Sequence, residues 1–313
     1  MYDISEEKIV VYAKAVEQTL DKLFRSSERD SDKCFDKLYD LLTWPRLLGL
    51  AAIKVLGNSG AYTAGVDSVE KGQFMATFDS QIKHIRKDLL AHDGYKPGAV
   101  LRKFIPKKNG KLRPLGIPNL RDRVVQEAIR MILEPILEPC FQRDSHGFRI
   151  GHSTQDCRKD IMPYLDPQKK MQYVLEGDIK SFFDDVDHKL VWNLLGKKIH
   201  DRKFRTLIYR FLKAEVVDHG KATKPAKGTP QGGVISPLLA NMVLNELDKY
   251  IGTLKSKYAN TRMHTKCGLV KVRKPDGGSI GYTRYADDWV LLWNGSKEKL
   301  KEIKEDITRS SSF

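Results

Sequence analysis

Apolar residues recur at helical spacing along the first hundred residues of the chain. The first apolar face carries Ile9, Ala13, Val16, Leu20 and Leu23, with Ser5 as the predicted cap of the helix. A second helix is predicted to include Phe35 and Leu38 and to end before Trp44-Pro45, and a third to cover residues 46–56. Small residues and turn residues predict a loop from Ser59 to Gly72.

Strand-like patterns begin at Val100. Residues 102–106 and 111–114 predict a hairpin that turns at Lys107–Gly110, because an Asn-Gly pair favours tight turns. A strand is predicted at 173–179, and two more at Ile280–Tyr285 and Trp289–Trp293.

Between these strands the helical pattern returns. Helices are predicted after Asn119, from Asp187, around Phe204–Leu212 and from Ser236-Pro237, and 220–227 is the best candidate for a mobile loop.

Two adjacent acids, Asp287 and Asp288, lie at the tip of the otherwise apolar hairpin, and Asp178 ends the earlier strand. Neighbouring carboxylates resist joint ionisation, and a divalent cation relieves their repulsion. Three carboxylates suit two Mg²⁺ ions in phosphoryl transfer, with Asp178 and Asp287 bridging, Asp288 supporting and the Ile179 carbonyl as an extra ligand. This combination predicts a nucleic-acid polymerase.

Composition agrees with a polyanionic partner. The 313 residues are 41% hydrophobic and 30% charged, and the net charge is +15. Four scattered cysteines favour reduced thiols over a disulfide framework or a zinc site. No apolar run approaches the ~20 residues of a membrane span and no signal-peptide pattern begins the chain, so we expect a cytoplasmic protein.

Other residues can be assigned to the nucleotide. Phe183 could place a ring beneath the sugar, where it would clash with a 2′-hydroxyl and so select deoxynucleotides. Gln231, within the turn Gly228–Gly233, can hydrogen-bond a nucleotide. Lys107 and Arg113 flank the basic hairpin turn and could clamp a triphosphate, although a solvated hairpin tip is the alternative.

The ordered motifs resemble a reverse transcriptase, and specifically the protein encoded within group II introns (intron maturase). The resemblance spans nearly the whole chain and includes a loop that resembles the N-terminal extension of these enzymes. The motifs are Asn58–Asp67, Ile105–Lys107, Arg113–Pro118, Ser145–Arg149, Glu176–Phe183, Gly228–Gly233 with Ser236-Pro237, and Arg284–Asp288 with its Tyr-Ala-Asp-Asp box.

The resemblance implies an α+β fold, namely a right-hand polymerase with fingers, an antiparallel palm sheet backed by helices, and a helical N-terminal extension. It implies RNA-templated DNA synthesis with two Mg²⁺ ions, a template RNA, a DNA primer and dNTP, and binding of the parent group II intron RNA for splicing and retrohoming. The implied RNA contacts are Asn58, Gly60, Thr63, Arg102, Lys103 and Arg149.

The same resemblance predicts how the chain is divided. We expect the extension and fingers in 1–120, palm in 121–187, a return to the fingers in 188–227, and palm again in 228–313. The chain stops soon after the acidic hairpin, where the family's thumb would follow, so a truncated fragment that binds RNA well and polymerises poorly is expected. Monomer and homodimer both stay open.

Two alternatives remain at this point. One is an RNA-binding splicing cofactor whose polymerase centre is idle, and the other is a different lineage, such as a retron or diversity-generating reverse transcriptase or an RNA-dependent RNA polymerase. A basic structural protein without catalysis ranks last.

Overall fold

The computed structural model describes residues 6–106, 110, 112–179, 182–229, 232–259, 261–265, 268–272 and 277–310. The helices in this part of the chain are α1 (Glu6–Arg29), α2 (Leu38–Leu42), α3 (Pro45–Gly57), α4 (Lys71–Ala76), α5 (Phe78–Leu90), α6 (Leu120–Leu137), α7 (Thr154–Ile161), α8 (Phe182–Asp185), α9 (His188–Gly196), α10 (Arg202–Leu212), α11 (Ser236–Tyr258) and α12 (Lys297–Ser310). The strands are β1 (Val100–Pro106), β2 (Leu112–Ile117), β3 (Tyr173–Asp178), β4 (Val216–Asp218), β5 (Lys221–Thr223), β6 (Thr261–Thr265), β7 (Gly268–Val272), β8 (Ile280–Tyr285) and β9 (Asp288–Trp293).

The chain forms two compact units, each built from separate segments. The first unit comprises Met1–Cys140 and Phe183–Leu239, and the second comprises Phe141–Phe182 and Ala240–Phe313. The mixture of helices and antiparallel sheet agrees with the predicted α+β class.

The first unit is organised around α6, which is buried along most of its length. Helices α1 and α3 both pack against α6, so its side chains are covered on more than one side and even the polar Asp122, Arg123, Gln126 and Glu127 are buried. A four-stranded sheet in the order β2-β1-β4-β5 completes this unit, with β1 antiparallel to β2 and parallel to β4.

The second unit is built on an antiparallel sheet in the order β3-β9-β8. One face of this sheet packs on α11 and α12 through a core that includes Leu247, Ile251, Tyr282, Trp293 and Ile303. On the other face, Val174, Glu176 and Asp178 of β3 alternate with the core residues and are exposed. A separate two-stranded ribbon consists of β6 and β7.

Several local predictions need correction. Phe35 does not belong to the second helix, because it forms an isolated bridge with Ile199. The expected mobile loop 220–227 is ordered in part as β5, which pairs with β4. The predicted loop after Ser59 contains a 3₁₀ turn at Ser59–Tyr62 and ends where α4 begins. The predicted cap Ser5 and hairpin turn Lys107–Asn109 lie outside the described residues.

In the part of the chain that the structure describes, no helix is both long and apolar enough to cross a membrane.

Candidate active site

The acidic hairpin is the tight connection between β8 and β9. Tyr285 pairs with Asp288, so Ala286 and Asp287 form a two-residue turn. Ala286 has a φ of 57° and is buried. A positive φ at the first central residue is typical of two-residue hairpin turns, but it is unfavourable for alanine, so the surrounding contacts must hold this conformation.

Strand β3 brings the third acid to the same place. Asp178 lies directly opposite Asp288 in the antiparallel register of β3 and β9, and directly opposed residues project from the same face of a sheet. Gly177 precedes Asp178 for a steric reason, because a Cβ atom there would lie 2.2 Å from the ring of Trp289. The three predicted acids are therefore neighbours at one end of the sheet.

A groove of about 460 Å³ opens on this face of the second unit. Its lining includes Asp178, Asp288, Glu176, Tyr285 and Cys157. Partial burial, followed by the charges of Asp287 and Asp178, raises the pKa of Asp288 above its ordinary value. A cation in the groove would lower this repulsion.

The donor set suits a hard divalent cation, since Mg²⁺ prefers carboxylate oxygens together with water. Among the residues that the structure describes, no three His, Cys, Asp or Glu side chains are already gathered around a common point where a metal ion could sit. The carbonyl oxygen of Ile179, the predicted extra ligand, accepts a hydrogen bond from the amide of Phe182 (3.1 Å).

Sequence reasoning missed the residue that holds the hairpin, which is Arg284. Its side chain is 0% exposed, and its guanidinium forms an ion pair with Asp248 of α11, also fully buried. The Nε and Nη2 atoms donate to the two Asp248 oxygens at 2.8 and 2.6 Å, and Nη1 donates to the Ala286 carbonyl at 2.7 Å. The remaining bonds go to Asn241 Oδ1 (3.2 Å) and Ser145 Oγ (2.6 Å).

These bonds use all five N–H donors of an arginine, so the buried charge is fully compensated. Tyr282 also donates to Asp248, at 2.8 Å. Burial, followed by the Asp248 charge, raises the pKa of Tyr282 well above its ordinary value, so its hydroxyl remains a donor. The signal in the sequence was a charged residue in the core-facing phase of β8, but its partner is 36 residues away.

The segment 144–147 packs on the other side of the same turn. The amide of His146 donates to the Arg284 carbonyl (3.0 Å), and Asn241 donates to the Gly147 carbonyl (2.7 Å). A Cβ atom on Gly147 would lie 2.2 Å from the Ala286 nitrogen, so only glycine fits this approach. Arg149 donates to the carbonyls of Gln142 and Ser145 and thereby holds this segment.

The predicted sugar gate, Phe183, belongs to the first unit. Its carbonyl accepts a bond from the Thr229 amide at 2.6 Å, and the amide of Gly228 donates to Val186 at 2.8 Å. The buried His188 joins its Nε2 to the Gly228 carbonyl at 2.7 Å. These bonds attach the segment that leads to Gln231 to α8, which carries Phe183. Gln231 itself lies outside the described residues.

The side chain of Arg123 holds the predicted RNA-binding loop through hydrogen bonds to its backbone. Sequence reasoning did not predict this role of Arg123. Arg123 donates to the carbonyls of Gly60 and Thr63 at 2.7 Å each, and its Nε donates to Pro118 at 2.7 Å. Burial lowers the pKa of Arg123. Asn58, Gly60 and Thr63 line a cavity of about 250 Å³ in this unit.

The basic hairpin carries the remaining predicted residues. Lys103 on β1 and Arg113 on β2 are exposed, Arg102 is half-buried, and Lys107 lies outside the described residues. Arg102 also lines a cavity of about 280 Å³ with Gly228 and Thr229, but its Nε atom has no hydrogen-bond partner.

The chain is similar to known proteins over most of its length. A family model described as reverse transcriptase (RNA-dependent DNA polymerase) matches residues 105–312. Protein YkfC of Escherichia coli K12 is 38% identical over 299 residues, with 91% of this chain and 77% of that protein covered. The chain belongs to the reverse transcriptase family.

Within that family its relatives include the group II intron-encoded protein LtrA of Lactococcus lactis subsp. cremoris, which is 35% identical over 329 residues. That match covers 92% of this chain and 54% of the relative, so the chain spans about half the length of that protein. A solved Cas6-RT-Cas1–Cas2 complex matches with a TM-score of 0.47 at 22% identity, with 87% of this chain and 42% of that one covered. The resemblance to group II intron-encoded reverse transcriptases is confirmed.

Proposed function

We propose that the chain is the RNA-directed DNA polymerase region of a group II intron maturase. The observation that carries this proposal is the register that sets Asp178 opposite Asp288, with Asp287 next to it in the turn. Its partners would be template RNA, a DNA primer, dNTP and the parent intron RNA, and it would act in the bacterial cytoplasm, at the nucleoid during retrohoming.

In this proposal Asp178 and Asp287 would be the main ligands of two Mg²⁺ ions, with Asp288 and the Ile179 carbonyl in support. Bound Mg²⁺ would lower the pKa of the primer 3′-hydroxyl and neutralise the departing pyrophosphate. Arg284 would keep the turn that carries Asp287 in place through its bond to the Ala286 carbonyl. The open groove would give a primer terminus access to Asp178 and Asp288.

The other residues are proposed to select and hold substrates. Lys107 and Arg113 would contact the triphosphate, Gln231 the nucleotide and Phe183 its sugar. Asn58, Gly60, Thr63, Arg102 and Lys103 would contact RNA, and Arg149 would contribute through the segment that it holds.

Single-turnover incorporation of one nucleotide tests the polymerase proposal, because it does not require processive synthesis. Asp287→Ala should lower the rate by about 1,000-fold or more, since several kcal/mol of charge stabilisation would be lost. Glu176→Ala is the matched control, because it removes a carboxylate from the same groove two residues before Asp178. An equal loss in both variants would contradict the assigned roles.

A second candidate is an RNA-binding splicing cofactor with little polymerase activity. The net charge of +15 favours it, because electrostatic attraction of RNA does not require catalytic activity. It would be supported if the unmodified chain incorporated nucleotide no faster than Asp287→Ala while binding RNA equally well. The sugar gate has its own test: Phe183→Ala should admit ribonucleotides, and unchanged discrimination would remove that assignment.

A further inference from the structure

A stripe of basic and aromatic side chains runs along α10 in the first unit. We define the α10 stripe as Arg202, Arg205, Tyr209 and Lys213, together with Trp192 of α9. Spacings of three and four residues place the α10 members on one side of the helix. At 1.5 Å per residue, the stripe extends over about 16 Å. Arg202 and Lys213 are exposed, and the other members are half-buried.

Arg205 is held in a fixed position within the stripe. Its guanidinium lies over the Trp192 ring, 4.5 Å from the ring centre, and the edge of Tyr209 meets the same indole. A Cβ atom on Gly196 would lie 2.8 Å from Nη1, so the glycine at the end of α9 leaves the space that the guanidinium uses. Lys213 in turn lies 4.7 Å from the centre of the Tyr209 ring.

No carboxylate neutralises these cations. The segment from 197 to 213 contains seven Lys and Arg residues and one acid, Asp201. Asp201 is buried and caps α10, accepting the amides of Phe204 at 2.9 Å and Tyr39 at 2.8 Å. Among the described residues, Arg202, Arg205 and Lys213 form no ion pair, and the buried Nε of Arg205 has no hydrogen-bond partner.

Arg205 is oriented by an aromatic ring, is partly desolvated and has no counter-ion among the described residues. Its guanidinium is therefore preorganised to bind an external anion. A stacked guanidinium keeps its outer N–H groups free for the bidentate contact that phosphate oxygens make. The α10 stripe repeats cationic groups along a length sufficient for several phosphates of one nucleic-acid strand.

We propose that the α10 stripe binds the phosphate backbone of a structured RNA. Every residue of the stripe belongs to the first unit, whereas the acids and the groove that we assign to catalysis belong to the second. The choice of RNA among polyanions rests on the proposed function, but the phosphate chemistry rests on the stripe alone. The stripe would give the protein a second RNA-binding surface, in addition to the groove proposed to bind the template and primer.

The test is the salt dependence of binding to a labelled RNA hairpin that has no primer terminus. The variant R202Q/R205Q/K213Q should lower the magnitude of the log–log salt slope by about 2 to 3, at 0.7 to 0.9 per lost phosphate contact. The control K297Q/K301Q/K304Q removes three exposed positive charges from α12 instead and should change the slope less.

A slope for the stripe variant equal to that of the α12 control would overturn the proposal. Loss of binding to poly-glutamate with unchanged RNA affinity would also overturn it and would indicate an acidic protein as partner.

Gly196→Ala, which displaces Arg205 without changing the charge, should weaken RNA binding as Arg205→Gln does, and full affinity would count against the proposed geometry.

The result is independent of polymerase activity. Asp287→Ala should keep the full salt slope, because it leaves the stripe intact. If the unmodified chain incorporates no nucleotide but the stripe variant still loses slope, the polymerase proposal fails while the stripe proposal stands.

Discussion

Replacing Arg284 should separate the stability of the second unit from the geometry of the turn that carries Asp287. Arg284→Met removes five hydrogen bonds and leaves the carboxylate of Asp248 buried without a cation. Breaking one side of a buried ion pair typically costs about 3–5 kcal/mol. We expect the free energy of unfolding to fall by an amount in that range.

A second substitution tests how the loss arises. Asp248→Asn, added to Arg284→Met, removes the uncompensated charge but keeps an oxygen for the Tyr282 hydroxyl. We expect about 2 kcal/mol of stability to return, because the largest penalty is the buried charge. Nucleotide incorporation should not return, since the Ala286 carbonyl still lacks the donor that holds the turn.

The measurements are urea unfolding followed by tryptophan fluorescence and single-turnover incorporation of one nucleotide. If Asp287 and Asp288 bind metal as proposed, the single and double variants should both incorporate about 10- to 100-fold more slowly, because the turn that carries these groups loses its support. Arg130→Met is the control, because it likewise removes an arginine that pairs with acids, Glu127 and Glu134, but within α6 of the first unit.

Two outcomes would refute the reasoning. If activity recovered in step with stability in the double variant, Arg284 would act only by holding the unit folded. If Arg284→Met lowered the unfolding free energy by less than about 1 kcal/mol, the pair could not be buried as described.

Three further predictions follow from single contacts. Gly147→Ala should slow incorporation at least about 10-fold, because its Cβ would collide with Ala286, whereas Gly57→Ala, with nothing within 4 Å, should not. His188→Phe should lower the unfolding free energy by about 1–3 kcal/mol in urea titrations, because the Gly228 carbonyl loses its donor; an unchanged urea midpoint would contradict that bond. Burial raises the pKa of Asp122 from 3.8 to about 6. The folded protein therefore holds the proton more tightly than the unfolded chain, and the free energy of unfolding falls as the pH rises from about 4 through 6. The unfolding free energy of Asp122→Asn should therefore rise by up to about 3 kcal/mol relative to that of the unmodified protein as the pH goes from 4 to 7. Parallel curves of stability against pH would refute this assignment.

The sequence predicted the parts of the site that depend on local patterns. Alternation of apolar and polar residues identified β3, β8 and β9, and the apolar stripes identified α6, α9 and α10. Because the three acids lie at strand ends, their convergence followed once the strands were predicted to share a sheet.

Contacts between distant segments were not predictable from one sequence. The pairing of β1 with β4 and the bridge from Phe35 to Ile199 depend on how whole helices pack. The Arg284–Asp248 pair depends on a helix and a strand 36 residues apart, and an acid within the apolar stripe of α11 does not show which cation it will meet. The six-residue helix α4 begins within, and the 13-residue helix α5 follows, a segment whose composition favoured a loop.

The pairing of β3 has a consequence for synthesis of the chain on the ribosome. In the described residues, β3 hydrogen-bonds only with β9, so Asp178 has no strand partner until Asp288 has been translated, 110 positions later. At translation rates of about 5–20 residues per second, β3 remains without its partner strand for about 5–20 s. The three acids can therefore come together only after β9 has been made, and in that interval an unpaired β3 is open to capture by a chaperone or by another chain.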